Sequence, residues 1–255
     1  MRTGVVGGAL ADRLLNRLGD PDANGYCDGS AYQGRSKLEV LFGPGIWREV
    51  EGREVVDFGC GEGREAIEML KRGARHVVGV DLLERSLDRA RQSARAAGVA
   101  DRCEFSDRLA TKADVVVSVD GFEHFADPGG VLRAMAGTLK PGGRVLLTFG
   151  PTWLHPLGGH LFSVFPWAHL VFTESALIRW RARFRNDGAT RFSEVEGGLN
   201  QMTIRRFERL VAESPLEFET FEAVPIRRLR SIASFLPREL CTSFVRSRLR
   251  PRHRA

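Results

Sequence analysis

The sequence has few cysteines, and they are not spaced as a structural framework. Cys27, Cys60, Cys103 and Cys241 are spread over 255 residues without a C-x-x-C pair. Neither a disulfide scaffold nor a zinc knuckle is therefore indicated. Cys60 lies inside a glycine-rich stretch, where it is most simply a small residue that fits.

Long apolar runs are also absent. Residues 1–11 contain too few consecutive apolar residues for a signal peptide, and no stretch reaches the length of a membrane span. These absences predict a cytoplasmic protein. With 43% apolar residues in 255, the chain is long enough for one large α/β domain with additions or for two small domains, and one domain is the better interpretation.

Lysine is missing from the second part of the sequence. The formal net charge is +6, yet the lysines all lie in the first part, at Lys37, Lys71, Lys112 and Lys140. The positive charge after residue 150 therefore comes from arginine alone. Arginine suits phosphate or carboxylate recognition, but codon bias in a GC-rich genome would give the same excess. Nucleic acid is thus a weaker candidate partner than a small molecule.

The sequence is organised around residues 54–65, Glu-Val-Val-Asp-Phe-Gly-Cys-Gly-Glu-Gly-Arg-Glu. A β-branched run ends in Asp57, then Gly59, Gly61 and Gly63 follow at alternate positions, and a helical pattern begins at Glu62. This order predicts a strand, a tight loop and a helix. Because glycine lets a ligand approach main-chain atoms, we expect a ligand across this turn.

The charge of the loop indicates which ligand it is. The dinucleotide fingerprint G-x-G-x-x-G places a pyrophosphate at a helix N-terminus. Here the spacing is G-x-G-x-G, and Arg64 stands in place of the third glycine. The carboxylates of Asp57, Glu62 and Glu65 would repel a phosphate. They favour a ligand with a cationic centre and an ammonium group, such as S-adenosylmethionine (SAM).

A second apolar strand, residues 77–81, also ends in an acid. Asp81 follows Gly63 at about the spacing at which an acid meets a ribose hydroxyl pair in nucleotide-binding βαβ units. With the later segments EFSDRLA, VVVSVDGFEHFADP and LKPGGRVLLTF, these two strands resemble the class I SAM-dependent methyltransferases. The resemblance covers roughly residues 50–150, and the ordered set is far more specific than the glycine loop alone.

The alternation of strands and helices predicts a parallel sheet, and the resemblance implies the rest of the fold. Strands are expected at about 54–58, 76–81, 102–105, 113–118 and 143–149, and helices at about 62–72, 84–97 and 128–139. A helix over 203–213 and strands at 216–224 and 242–250 follow. The predicted fold is a Rossmann-like α/β class I methyltransferase with a seven-stranded, mostly parallel sheet and an antiparallel last strand.

The predicted organisation has two parts. A helical cover over residues 1–50 precedes a SAM-dependent methyltransferase domain over residues 51–255. Residues 21–35 are interpreted as a loop that carries Tyr26 and Tyr32, and Tyr32 is either a pocket aromatic or a core residue. Residues 151–200 are too long for an ordinary connection and are interpreted as a substrate lid after the fifth strand.

The resemblance implies roles for individual residues. Asp57 and the backbone of Gly59, Cys60 and Gly61 would hold the methionine part of SAM. Asp81, with Leu82 beside it, would take the ribose hydroxyls, and Asp107 and Arg108 would lie by the adenine. Asp120 completes the predicted cofactor site. From the residues alone, Asp81 could instead be a helix N-cap and Asp107 an ordinary loop acid.

A second constellation follows the fourth strand, in Asp120-Gly-Phe-Glu123-His124. If this segment makes a helical turn, the three polar side chains share a face and could bind magnesium or another divalent metal. The motif is similar to the acid-x-x-Glu-His motif of ubiquinone-biosynthesis O-methyltransferases and of small-RNA 2′-O-methyltransferases. The alternative is a metal-free base at His124, or a structural histidine.

The lid sequence carries His155, His160 and His169. His160 is a further catalytic candidate beside Glu123 and His124, although a packing histidine is the competing interpretation. Residues 178–185 alternate apolar residues with arginine. As a strand they would place all four arginines on one face and form a basic aromatic surface; as a helix they would scatter them.

The predicted activity is methyl transfer from SAM to a hydroxyl of a small-molecule acceptor, with S-adenosylhomocysteine released. The acceptor would be a natural product, a glycan or a quinone-like phenol, and the protein a monomer or homodimer. The alternatives are an RNA 2′-O-methyltransferase, an N-methyltransferase acting on a small molecule, and a non-catalytic SAM-binding subunit.

Overall fold

The structure of the chain is a computed structural model that describes residues 4–18, 32, 34–109, 111–195 and 198–252. The interpretation of residues 21–31, with Tyr26, as a loop lies outside the described residues.

The described residues contain one seven-stranded sheet with the order β3-β2-β1-β4-β5-β7-β6. The strands are β1 (Glu54–Phe58), β2 (His76–Val80), β3 (Cys103–Ser106), β4 (Ala113–Val119), β5 (Leu139–Phe149), β6 (Leu216–Pro225) and β7 (Thr242–Pro251). Strands β1 to β5 are parallel, and β7 is antiparallel to both β5 and β6. The predicted fold, including its antiparallel closing strand, is confirmed. The strand order reverses between β1 and β4, so a ligand crevice is expected at their carboxyl ends.

The helices cover both faces of the sheet and its carboxyl edge. They are α1 (Gly8–Leu15), α2 (Lys37–Phe42), α3 (Ile46–Val50), α4 (Arg64–Lys71), α5 (Glu84–Ala96), α6 (Pro128–Thr138), α7 (Ala168–Val171), α8 (Glu174–Arg181), α9 (Ile204–Ala212) and α10 (Arg238–Cys241). Successive valines of β1 and β2 point to opposite faces. Val55 and Val77 pack with α2 to α5, whereas Val56 and Val78 pack with α6 and α9. This is why the buried parallel strands are continuously apolar.

Residues 151–200, which are predicted to form the lid and are called the lid below, contain a hydrophobic core of their own. Trp153, Phe162, Phe172 and Phe192 pack together there, and Ala11 of α1 is buried among them. Helix α1 therefore packs against the lid, while α2 and α3 pack against the sheet. The predicted helical cover over residues 1–50 consists, in its described part, of two pieces with different partners. The domain boundary at residue 51 stays a prediction.

Residues 174–181 are helical, so the strand alternative for residues 178–185 is wrong. The hydroxyl of Thr173 caps α8 by accepting from the backbone N–H of Ala176 at 3.3 Å. Arg179 bonds Asp12 of α1 at 3.1 Å, whereas Arg181 is buried and bonds Asp187 at 2.6 Å. The helical turn directs these arginines to different partners, so they do not form one basic face.

Candidate functional site

The glycine loop joins β1 to α4 and lies against the end of β2. The backbone φ angles of Gly59, Gly61 and Gly63 are +82°, +50° and +75°. The N–H groups of Gly59 and Cys60 donate to the carbonyl of Val80 at 2.8 and 3.1 Å. These bonds hold the turn open toward the carboxyl edge of the sheet, where the predicted ligand would meet main-chain atoms.

Asp57 lies directly beneath this loop and is only 2% exposed. Its Oδ2 has no hydrogen-bond partner within the part of the chain that the structure describes. Burial, and then the carboxylate of Glu65, raise the pKa of Asp57 to about 8, against the attraction of Lys37. A buried carboxylate with a free oxygen is costly unless a cation pairs with it. This site therefore suits the ammonium group of SAM.

Asp81 fixes the loop from the next strand. Its Oδ2 accepts from the N–H of Gly61 at 2.9 Å, and its Oδ1 accepts from the N–H of Leu83 at 2.9 Å. Leu83, not Asp81, is the N-cap residue of α5, so the N-cap alternative is wrong. Leu82 stands beside Asp81 and is largely exposed.

Asp107 and Arg108 follow β3, the parallel neighbour of β2. Val80 pairs with Ser106 in the sheet, so the register places Asp107 next to Asp81 at the same edge. Both Asp107 and Arg108 are exposed, and the Arg108 Nε lies 4.0 Å from the Asp107 Oδ1. The structure therefore brings the predicted ribose-side and adenine-side residues together along one edge.

Lys37 lies beside the acids of this site, although no sequence motif marks it as a site residue. Its ammonium lies 3.0 Å from the Oδ2 of Asp120 and 4.0 Å from the Oε1 of Glu65. Burial lowers the pKa of Lys37, but the carboxylates of Asp120 and Glu65 outweigh it, so the pKa lies above its usual value. The neighbouring Ser36 is the N-cap residue of α2, because its hydroxyl accepts from the N–H of Glu39 at 3.1 Å, and a serine before a helical pattern was the signal available in the sequence.

Tyr32 joins the same cluster. Its hydroxyl donates to the Oδ2 of Asp120 at 3.4 Å, and its ring packs against the core on the α2 side of the sheet. Burial, followed by Asp120, raises the pKa of Tyr32. Both interpretations of Tyr32, as a site aromatic and as a core residue, thus describe part of its environment.

The predicted metal trio is not assembled. Asp120 pairs with Lys37, and Glu123 is buried with its Oε1 accepting from the N–H of Gly150 at 3.1 Å. His124 Nδ1 lies 2.7 Å from the carbonyl of Gly198. Within the described ranges, no group of three or more His, Cys, Asp or Glu side chains is placed to hold a metal. The metal prediction is unsupported because each side chain faces a different partner, and we assign no step to a metal.

Glu123 retains one unusual feature. Its Oε2 has no hydrogen-bond partner among the described residues. Burial, and then the nearby carboxylate of Asp120, raise the pKa of Glu123 to about 8. A carboxyl group in this state holds its proton at neutral pH, so Glu123 is poorly suited to act as a base. Its contact with Gly150 N–H instead ties the end of β4 to the end of β5.

The lid fixes the orientation of His124. A carbonyl oxygen can only accept, so in the neutral form of His124 the proton is on Nδ1 and Nε2 carries the lone pair. Asn200 reinforces this contact, because its side-chain amide donates to the carbonyls of Phe122 and Phe125 at 2.8 and 2.9 Å. Hydrogen bonds from residues 198–200 therefore fix the position of the loop after β4.

His160, which the sequence predicts as a further catalytic candidate, lies against His124 and is poorly suited to act as a base. The two imidazole rings are stacked, with 5.3 Å between their centroids. Burial, and then His124, lower the pKa of His160 to about 3. His155 and His169 have backbone partners: Leu157 N–H donates to His155 at 2.9 Å, and His169 Nε2 lies 2.6 Å from the carbonyl of Trp153.

Comparison with known protein families identifies the family to which this chain belongs. A family model described as a methyltransferase domain matches residues 9–250. The chain belongs to the methyltransferase domain family. The match confirms the resemblance to class I SAM-dependent methyltransferases that the strand-end acids and the glycine loop indicated.

The curated relatives of this methyltransferase domain match only part of its length. The ubiquinone biosynthesis O-methyltransferase of Neisseria meningitidis serogroup C is 38% identical over 107 residues, which cover 39% of the chain and 45% of that protein. The tRNA 5-carboxymethoxyuridine methyltransferase of Escherichia coli is 38% identical over 103 residues, covering 37% of the chain and 39% of that protein. The chain thus spans less than half the length of these relatives.

Solved structures show the same fold for this methyltransferase domain. An S-adenosylmethionine-dependent methyltransferase from Mesorhizobium loti superposes with a TM-score of 0.52 and 20% identity, over 80% of the chain and 95% of that structure. At this identity the likeness shows the fold alone. Across the described residues, none of the helices has the length and apolar character to cross a bilayer. Residence in the cytoplasm stays a prediction.

The buried carboxyl groups of this methyltransferase domain predict a pH-dependent stability. Asp57 and Glu123 have pKa values of about 8, so above pH 4.5 the folded ligand-free protein holds protons that the unfolded chain has released. Buried neutral histidines act in the opposite direction below pH 6.5. Between pH 6.5 and 8 the free energy of unfolding should therefore fall as pH rises, by up to about 1.4 kcal/mol per pH unit for each proton.

Thermal unfolding of the ligand-free protein across this pH window measures the effect. Asp57→Asn removes one of the two titrating groups and should flatten the decline, while Asp114→Asn, at an acid with lowered pKa, should leave the slope unchanged. An unfolding midpoint that rises with pH in the wild type, or identical slopes in wild type and Asp57→Asn, would contradict this account.

Proposed function

We propose that this chain transfers the methyl group of SAM to a hydroxyl of a small-molecule acceptor. The observation that carries the proposal is the imidazole of His124, which leaves the lone pair of Nε2 free at the carboxyl edge of β4. That edge lies beside β1 and the glycine loop in the sheet. The name of the Neisseria relative, an O-methyltransferase, supports oxygen as the acceptor atom.

In this proposal the acidic cluster holds the methionine end of SAM. Asp57 pairs with the ammonium group, because its free Oδ2 is buried and needs a cation. Lys37 leaves Asp120 and binds the carboxylate of SAM. It is the described cation that lies between Asp120 and Glu65 in this cluster. Asp120 is then a positioning residue that keeps Lys37 at the site in the absence of SAM.

The other end of SAM lies along the edge formed by β2 and β3. Asp81 accepts from the ribose hydroxyls while its bonds to Gly61 and Leu83 N–H groups keep it in place. Leu82 packs against the adenine ring, since it is an exposed apolar side chain beside Asp81. Asp107 accepts from the exocyclic amine, with Arg108 beside it.

His124 then acts as the general base. SAM supplies an electrophilic methyl group on a sulfonium centre. As the oxygen–carbon bond to the acceptor forms and the sulfur–carbon bond breaks, Nε2 of His124 takes the hydroxyl proton. The carbonyl of Gly198 accepts from Nδ1 and stabilises the imidazolium that results. Alignment of the acceptor with the methyl group contributes the remainder of the rate.

Glu123 and His160, both catalytic candidates in the sequence, are positioning residues in this mechanism. Glu123 holds Gly150 N–H, and His160 stacks on the ring of His124. A His160 with a pKa of about 3 is neutral near pH 7 and a weak base. The lid, residues 151–200, covers the acceptor and carries both His160 and Gly198.

Transfer of a labelled methyl group from SAM into a fractionated extract tests the function. We expect label in the small-molecule fraction, in an amount unchanged by a chelator and in a product that behaves as a methyl ether rather than as a methyl ester or a methylated amine. Label in RNA would contradict this proposal and favour an RNA methyltransferase. The Escherichia coli relative is named as a tRNA methyltransferase. SAM binding without labelling of any fraction would favour a non-catalytic subunit.

A further inference from the structure

The connection between β6 and β7 is an exposed segment rich in both arginine and large apolar residues. Residues 226–241, Ile-Arg-Arg-Leu-Arg-Ser-Ile-Ala-Ser-Phe-Leu-Pro-Arg-Glu-Leu-Cys, are called the basic apolar segment below. We propose that the basic apolar segment docks this protein on the surface of an anionic lipid membrane. The proposal goes beyond the methyl transfer argued above and does not depend on it.

The basic apolar segment lies at the edge of the sheet that carries the functional site. Strand β7 runs antiparallel to β5, so Val245 near its start pairs with Phe149 at the carboxyl end of β5. Gly150, whose N–H is bound by Glu123, packs against Phe244. A surface that binds the basic apolar segment would therefore lie next to the acceptor side of the site.

Four large apolar side chains of the segment project into solvent. Phe235 is 86% exposed, Ile232 is 47% exposed, and Leu236 and Leu240 are each 38% exposed. They fall within nine consecutive residues of a single connection, so these exposures are concentrated in one short segment of the chain. Large apolar patches of this kind mark interaction surfaces.

The same segment carries unpaired positive charge. Arg227, Arg228 and Arg230 are exposed, and their side chains make no hydrogen bond or ion pair within the described residues. Most other arginines of the C-terminal strands are paired, for example Arg246 with Glu222 and Arg250 with Glu217. Exposed arginines next to apolar side chains are the composition that binds the interface of an anionic membrane.

Hydrogen bonds and an ion pair fix the two ends of the basic apolar segment to the rest of the protein, so its exposed side chains stay on the surface. The N–H of Ile226 donates to the carbonyl of Cys241 at 2.7 Å and closes the segment. The carboxylate of Glu239 accepts from the N–H groups of Ile204 and Arg205 at 3.0 and 2.9 Å, at the start of α9. Arg238 pairs with Glu208 of α9 at 2.6 Å.

Lipid fits this surface better than the two other kinds of partner. A second copy bound through a two-fold axis would place the three unpaired arginines against their own equivalents, and like charges would repel. RNA would use the arginines but not Ile232, Leu236 and Leu240, which cannot stack on bases as aromatic rings do. An anionic membrane accepts both the arginines and the aliphatic side chains.

Vesicle co-sedimentation of the full chain tests the proposal. We expect binding to vesicles of phosphatidylcholine with phosphatidylglycerol, little binding to phosphatidylcholine alone, and weaker binding at about 1 M salt, where the Debye length is about 3 Å. The triple variant Arg227→Gln, Arg228→Gln, Arg230→Gln should bind on the order of 100-fold more weakly. Phe235→Ser should lose roughly tenfold or more, and Phe235→Trp should retain binding.

A matched charge control lies at the opposite edge of the sheet. Arg53 precedes β1, and Lys71 and Arg95 lie in the last turns of α4 and α5. The variant Arg53→Gln, Lys71→Gln, Arg95→Gln removes the same charge and should bind vesicles like the wild type. Equal losses in the two triple variants would overturn a specific docking surface and leave only net charge.

Three other outcomes would overturn the proposal. The first is absence of binding to both kinds of vesicle. The second is a dimer, seen by analytical ultracentrifugation, that Phe235→Ser dissociates. The third is salt-sensitive binding to a tRNA pool that the arginine triple variant abolishes while vesicle binding is unaffected. We expect every variant to fold, because all the substituted side chains are exposed. Thermal unfolding of each variant checks this.

Discussion

His124→Ala is expected to reduce turnover by roughly 10²- to 10⁴-fold while SAM affinity stays close to that of the wild type. The imidazole is the group that takes the hydroxyl proton, and its Nδ1 is already bound to Gly198, so its loss removes the base without removing a SAM contact. Turnover is measured with labelled SAM and the acceptor fraction, and SAM affinity by calorimetry.

Lys37→Gln provides a contrasting control, because this side chain is proposed to bind the carboxylate of SAM. It should weaken SAM binding by roughly 10- to 100-fold, the range for a hydrogen bond to a charged group, with a smaller effect on the maximal rate. If His124→Ala lowered SAM affinity as much as turnover, the imidazole would be a binding or structural group. The assignment of the base would then be wrong.

Gly63→Ala is expected to lower the free energy of unfolding by about 2–5 kcal/mol and to abolish SAM binding. Gly63 has a φ of +75°, and an added Cβ would lie 2.7 Å from the Cζ of Phe105 and 2.9 Å from the Cβ of Ala90. The substitution combines backbone strain with overpacking between α5 and β3. Chemical denaturation and SAM titration measure the two effects.

Gly61→Ala separates those two causes. Gly61 also has a positive φ, of +50°, but no atom of the described residues lies within 4 Å of the position that a Cβ would take. Only the backbone strain remains, so the loss in stability should be about 1–2 kcal/mol. Equal losses for the two substitutions would show that the contact of Gly63 with Phe105 and Ala90 is not what requires glycine.

Local features of the sequence predicted much of the fold. The β-branched runs, the glycine and proline breaks and the helical periodicity placed β1, β2, α5 and α6 within one or two residues of their observed bounds. They did so because these elements satisfy their backbone bonds either locally or with parallel neighbours of the same apolar character. Strand β6 was predicted from the alternation of its side chains, whereas its antiparallel pairing with β7 was predicted from the resemblance to the class I methyltransferase fold.

The cofactor half of the site was also predictable in outline. Acids that end parallel strands meet at one edge of a sheet, so Asp57, Asp81 and Asp107 could be assigned to one site before any contact was known. Sequence spacing was sufficient here because the strands themselves fix the relative positions of the residues that follow them.

The acceptor half depended on contacts between distant parts of the chain. The spacing of Asp120, Glu123 and His124 allowed a metal site, but Lys37, Gly150 and Gly198 each bind one of the three, and none of these partners is near in sequence. The two histidines that meet, His124 and His160, do so because the lid folds back on the sheet.

The sequence by itself therefore determined the strands, the helices, the glycine loop and the edge at which the proposed cofactor residues meet, because these follow from periodicity and from the geometry of parallel strands. Only the tertiary structure decided which polar side chains have partners. The free energy of a carboxylate or an imidazole depends on burial and on the nearest charge, and those are set by residues that the chain brings together from far apart.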